Sequence, residues 1–123
     1  MQRESEPLKY AFFHGCVIPQ KENAYELSAR KTAERLGIQL IDLEGANCCG
    51  FFLDAVDHLS ATILAARNLS LAEESGHEIV TLCPACFGHL TKVRNGLLKN
   101  HKQLETMNKA LGQINRKIEN PPK

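Results

Sequence analysis

Three short apolar runs alternate along the chain with stretches of helical periodicity. KYAFFH (9–14) is an apolar, aromatic run of the kind a buried strand shows, and Gly15-Cys16 ends it. ENAYELSARKTAERLG (22–37) sets Ala24, Leu27, Ala33 and Leu36 on a helical stripe and stops at Gly37. IQLIDL (38–43) predicts a second strand running into the loop EGANCCG. From about Ala55 to Ser75, Val56, Leu59, Ile63 and Ala66 repeat at helical spacing, and Gly76 closes that helix. EIVTL (78–82) predicts a third strand, with CPAC directly after it. Pro84 suits the first turn of a helix, which is expected to run through FGHLTKVRNGLLKN. Asn100 and Gln103 then open a last helix toward Ile118 in a capping-box-like arrangement.

The order is therefore strand, helix, strand, helix, strand, helix, helix. Strands alternating with helices at this spacing predict an α/β fold, a three-stranded parallel sheet joined by right-handed crossovers. Residues 1–8 read as a flexible N-terminus, 9–118 as a single module and 119–123 as a flexible tail. Cys16 follows the first predicted strand, Cys48 and Cys49 the second, and Cys83 and Cys86 the third. A parallel sheet brings all three carboxyl ends to one edge, where open α/β folds place their sites. Five thiols are expected to converge there.

Composition narrows the function classes. At 43% hydrophobic and 24% charged residues, the 123-residue chain has the make-up of one soluble globular domain. Fifteen basic and 14 acidic side chains leave a net charge of +1, and 6% aromatics without tryptophan provide no stacking platform, which speaks against nucleic acid. Basic residues crowd the last third, the pattern of a solvated helix face. No apolar run approaches the ~18 residues of a membrane span, and MQRESEPLK has no apolar signal region, so a cytoplasmic protein is expected. A reducing compartment disfavours structural disulfides, and five cysteines cannot all pair within one chain.

The adjacent Cys48 and Cys49 sharpen the question. Disulfide geometry rarely joins neighbours, so each sulfur is expected to serve a different atom. A mononuclear zinc site takes four ligands and leaves one cysteine over, with His14 or His89 competing. Iron–sulfur centres use thiolates and have room for more than four. Thiol–disulfide exchange at CPAC, near a helix N-terminus, is a third chemistry.

The spaced pattern GC (15–16), NCCG (47–50) and CPAC (83–86) resembles the cysteine-rich CCG module of the heterodisulfide reductase B subunit. YAFFHGCVIPQ, LGIQLIDLEGANCCG and AARNLSLAEESGHEIVTLCPACFGHL are similar to the N-terminal half of that protein, and the likeness spans residues 9–118. It implies a small Rossmann-like half-domain with a non-cubane 4Fe-4S cluster, at which a substrate disulfide is reductively cleaved. Carried over by position, Cys16, Cys48, Cys49, Cys83 and Cys86 are the implied ligands. Implied partners are other redox subunits, a second CCG module or a homodimer, and a disulfide substrate. Two departures stand out. The 33 residues between Cys49 and Cys83 are a couple fewer than the family usually shows, and this chain carries one module where the family carries two. Some family modules hold zinc or no cluster, so a zinc-bound or metal-free docking half-module stays open beside CxxC exchange.

Gly15 and Gly50 read as close-approach positions offering amide donors to a bound group, while Gly88 is equally well helix punctuation. Asn47 reads mainly as a turn residue and Tyr25, Phe51 and Phe52 as packing. His14 and His89 are weighed as ordinary buried residues against a tuning role; His58, His77 and His101 read as surface. Leu104, Met107, Leu111, Ile114 and Ile118 form an apolar stripe that suits either the chain's own core or a subunit interface.

Overall fold

The structure, a computed structural model, describes residues 8–14, 23–114 and 118–119. Three strands, β1 (Leu8–Phe13), β2 (Ile38–Asp42) and β3 (Ile79–Thr81), form one parallel sheet in the order β2-β1-β3. The register pairs Tyr10 with Leu40 and Phe12 with both Asp42 and Val80. Four helices flank it: α1 (Asn23–Arg35), α2 (His58–Ser75), α3 (Pro84–Lys99) and α4 (His101–Leu111). The α/β class and the parallel sheet are those the strand–helix alternation predicts. Residues 1–7 and 120–123, expected to be flexible, lie outside the described residues, as do Gly15 and Cys16.

Central position explains the sequence of β1. Ala11, Phe12 and Phe13 are all fully buried, because both faces of the middle strand are covered. Successive side chains point to opposite faces. Ala11 and Phe13 join the main core with Leu69 and Ala72 of α2, Leu90, Val93 and Leu97 of α3, and Met107 and Leu111 of α4. Each buried Phe or Leu stabilises the fold by about 1.5–3 kcal/mol. Phe12 points the other way, beneath the Arg30 guanidinium of α1, 4.7 Å from its ring centre.

That second face differs from expectation. α1 buries no residue completely, and Leu27 and Leu36 of the predicted stripe are 56% and 55% exposed. Glu26, Ala29, Arg30 and Ala33 are the half-buried positions instead. The helix is turned by polar contacts: Arg30 donates to Asp42 Oδ1 (2.9 Å) and Glu26 Oε2 (3.4 Å), and His14 lies between Glu26 Oε1 (3.2 Å) and Asp42 Oδ1 (3.1 Å). Arg30 holds the Asp42 carboxyl below its usual range, chiefly by this hydrogen bond.

α2 starts at His58 rather than Ala55. The Asp57 side chain accepts from the Ser60 amide (3.1 Å) and hydroxyl (2.7 Å), an N-cap that leaves Val56 outside the helix and 86% exposed. Gly76 ends the helix with φ 78, as its position predicts. At the α3–α4 corner, Asn100 Oδ1 accepts from the Lys102 and Gln103 amides, the expected cap. α4 ends at Leu111 and passes into a 3-10 turn, Gly112–Ile114. Of the C-terminal stripe, Met107, Leu111 and Ile118 are buried in the chain's own core and Leu104 packs against it, while the Ile114 side chain lies outside the described residues. Asn108 secures Ile118 by accepting from its amide (2.7 Å) and donating to its carbonyl (2.8 Å).

Candidate metal or thiol centre

All three strands run the same way, so their carboxyl ends lie along one edge of the sheet. β2 continues one step past Asp42, where the Leu43 amide donates to the Phe12 carbonyl (3.2 Å), and Gly45 then turns the chain at φ 79. Residues 46–50 carry Cys48 and Cys49 to a 3-10 turn, Phe51–Leu53. On the other side β3 ends at Thr81, and its hydroxyl accepts from the Cys83 amide (3.4 Å). Cys83 caps α3, Pro84 occupies the first turn, and Cys86 lies inside the helix beginning.

Cys49 and Cys86 are buried, Cys83 is half-buried and Cys48 is exposed; all four are thiols rather than disulfides. Their sulfurs interact pairwise, Cys48 with Cys49, Cys49 with Cys86, and Cys86 with Cys83. The Cys86 thiol donates to the Cys49 sulfur and, against the opposing effect of burial, draws the Cys49 pKa down to about 6. The Phe51 amide, 3.4 Å from that sulfur, and the nearby His89 add to the effect. Cys86 is pushed up by the same bond, by burial and by Cys83, and stays protonated. The Gly50 amide lies 3.4 Å from the Cys48 sulfur. The two neighbouring cysteines thus each take their own amide donor.

Gly50 has a φ of 96, and a Cβ there would lie 2.6 Å from the Ala61 carbonyl oxygen. The loop meets α2 without a gap, and only glycine permits it. His89 is buried and donates from Nε2 to the same Ala61 carbonyl (3.2 Å), so it braces α3 against α2 beneath the loop. A Cβ on Gly88 would meet nothing within 4 Å, which makes it a helix position without a close neighbour.

Three contributors carry no motif in the sequence. Asn68 is fully buried on α2 and bonds the loop backbone three times: it accepts from the Asn47 amide (3.0 Å) and donates to the Asn47 (3.0 Å) and Cys48 (3.3 Å) carbonyls. Arg67 donates to the Gly45 carbonyl (2.6 Å) and Asn47 Oδ1 (2.5 Å). Tyr25 of α1, expected only to pack, donates to the Leu82 carbonyl (3.3 Å), one residue before Cys83. The legible signal was Asn68 itself, a polar residue on the helix face shared by Ala61, Ala65 and Ala72. Asn47, read mainly as a turn residue, is a working part of this network. Its amide donates to the Leu64 (3.2 Å) and Cys48 (2.6 Å) carbonyls.

Phe51 and Phe52 stack edge to face with ring centres 5.4 Å apart. With Val56, Leu59 and Phe87 they are exposed rather than packed inside. As for a bound group, soft thiol donors fit iron or zinc. Among the described residues no three or more His, Cys, Asp or Glu gather in the arrangement that holds a metal ion.

Comparison with known proteins agrees with this pattern. The CCG cysteine-rich domain matches residues 10–91. A protein of Archaeoglobus profundus that is itself like the heterodisulfide reductase B subunit is 36% identical over 94% of this chain and 40% of its own length. The B subunit of the ferredoxin/F420H2-dependent CoB-CoM heterodisulfide reductase of Methanosarcina acetivorans is 33% identical over 86% of this chain and 36% of its length. The 8-methylmenaquinol:fumarate reductase membrane anchor subunit of Wolinella succinogenes is 37% identical over 83% and 34%. The chain therefore spans two-fifths or less of these relatives. Its fold is also that of a hypothetical protein from Helicobacter pylori, with a TM-score of 0.81 over 97% of this chain and 24% of that one at 18% identity. No helix among the described residues is long and apolar enough to cross a membrane. By the match over most of its length, this chain belongs to the CCG cysteine-rich domain family.

Proposed function

We propose that the chain is a redox module of a disulfide reductase, and that Cys16, Cys48, Cys49, Cys83 and Cys86 hold a non-cubane 4Fe-4S cluster. The observation that carries this reading is the set of pairwise contacts linking four of these sulfurs at the carboxyl edge of the sheet. Five thiols exceed the four ligands that one tetrahedral ion takes and suit a centre of several metal atoms. When bound, the cluster would supply electrons, one at a time, to a disulfide. The chain's own residues provide the surroundings. The Gly50 and Phe51 amides stabilise negative charge on the Cys48 and Cys49 sulfurs, and buried Cys86 and His89 exclude water from the inner side. Exposed Cys48 marks the side a substrate would approach. The names of the relatives support disulfide reduction with other redox subunits as partners. In this reading a second module or a homodimer completes the centre. A cytoplasmic setting, which keeps thiols reduced, belongs to the same reading.

One observation favours a second chemistry. A Cys49 thiolate beside the Cys86 thiol is a dithiol able to exchange with a disulfide, using this pair rather than the CPAC pair. Anaerobic purification decides between them through the visible spectrum, with iron, zinc and acid-labile sulfide counted per chain. Several irons with sulfide and absorption near 400 nm are expected. A colourless chain with one zinc would sink the cluster reading, and a metal-free chain that exchanges disulfides only with Cys49 intact would establish the second.

A further inference from the structure

We propose that Asn68 and Arg67 are positioning residues that fix the directions of the two adjacent cysteine sulfurs. The inference rests on the reading of the cysteines as a site, and it concerns residues to which that reading gave no role. Asparagine is a poor residue for a helix interior, and a fully buried one needs partners for its amide. Among the described residues, every partner of the Asn68 side chain lies on the cysteine loop.

The geometry follows from peptide planarity. A carbonyl held in one direction fixes the N–H of the following residue in the opposite one. The Asn68 amide takes the carbonyls of both Asn47 and Cys48, so both peptide planes flanking Cys48 are fixed by one side chain. Arg67 adds the Gly45 carbonyl, and its bond to Asn47 Oδ1 orients the Asn47 amide toward Leu64 and Cys48. Three loop carbonyls, the negative ends of their peptides, are therefore drawn to α2. The planes so fixed carry the Cys48 and Cys49 amides, and the next two amides along the chain, of Gly50 and Phe51, face the sulfurs. Adjacent cysteines in a free loop would sample many relative directions; here they have one.

The test uses the full chain, stripped of metal by anaerobic chelation and labelled with a small alkylating reagent. Mass spectrometry then gives the modification rates of Cys48 and Cys49 relative to Cys83. Asn68→Asp keeps the acceptor for the Asn47 amide but loses both donors; Asn68→Ala loses all three bonds. With far-ultraviolet circular dichroism unchanged, both variants are expected to shift the Cys48:Cys83 and Cys49:Cys83 ratios by about fivefold, the effect of one buried hydrogen bond on a local equilibrium. General loosening would raise all three rates together and leave the ratios alone. Wild-type ratios in folded Asn68 variants would overturn the proposal. Should those variants not fold, half-buried Arg67→Gln decides: a shift of either ratio supports the proposal and unchanged ratios overturn it. The readout needs no iron, so a failed cluster reading and a failed positioning role give different results.

Discussion

Gly50 shows how much of the site depends on single atoms. Its positive φ, and the 2.6 Å that would separate a Cβ from the Ala61 oxygen, leave a side chain no room. Gly50→Ala is expected to cost roughly 2–4 kcal/mol, seen as a fall in urea midpoint, because backbone strain and a backbone clash add. Cys49 makes a second test. In the metal-free chain, thiolate absorbance near 240 nm should rise with a midpoint of about 6, and Cys49→Ser should remove that step. The sign for stability follows. A depressed folded pKa means the unfolded state binds more protons between the two values, so stability should increase from about pH 6 toward the ordinary thiol range and be lost as pH falls through 6. Denaturant melts at stepped pH would measure it, and Cys49→Ser should flatten the slope. At this scale the sequence was legible in residue type but not in partnership. Neighbouring sulfurs imply separate surroundings, yet nothing in NCCG reveals that a distant asparagine supplies the orientation.

Elements were more readable than contacts between them. Gly76, Pro84 and Asn100 act through local backbone chemistry, and each ends or begins a helix where the pattern puts it. Asn100→Ala should therefore lower stability by about 1 kcal/mol in urea unfolding, the usual worth of such a cap, without altering metal uptake. The errors arose where tertiary contacts outrank periodicity. Val56 and Leu59 extend the apolar rhythm of α2 backwards, but Asp57 caps the helix and leaves both outside the core. Leu27 and Leu36 of the first apolar stripe face outward because Arg30 finds Asp42, Glu26 and the Phe12 ring on the sheet side. Periodicity identifies a helix; it does not weigh an ion-pair cluster against a few exposed leucines.

Across the whole molecule, the sheet has two unlike faces. α2, α3 and α4 share an apolar core that includes Cys49 and Cys86, so the helices around the thiols are bound to one another by burial. α1 is attached through charged and aromatic contacts around Arg30. Parallel order, and the meeting of the segments that follow β2 and β3, were legible from the spacing of strands, since chain direction alone brings the carboxyl ends together. The unlike character of the two faces was not, because it depends on which side chains meet across the sheet. Its consequence is that the molecule should come apart in stages. Salt screens exposed ion pairs and leaves apolar burial intact or strengthened. Amide hydrogens of α1 should then exchange with solvent deuterium faster than those of α2 and α3, and raising sodium chloride should widen the gap. Uniform protection at every salt concentration would mean one cooperative unit. Under the expected result, the thiol-bearing half would persist while α1 opened and closed beside it, a built-in order of local unfolding that spares the linked sulfurs until last.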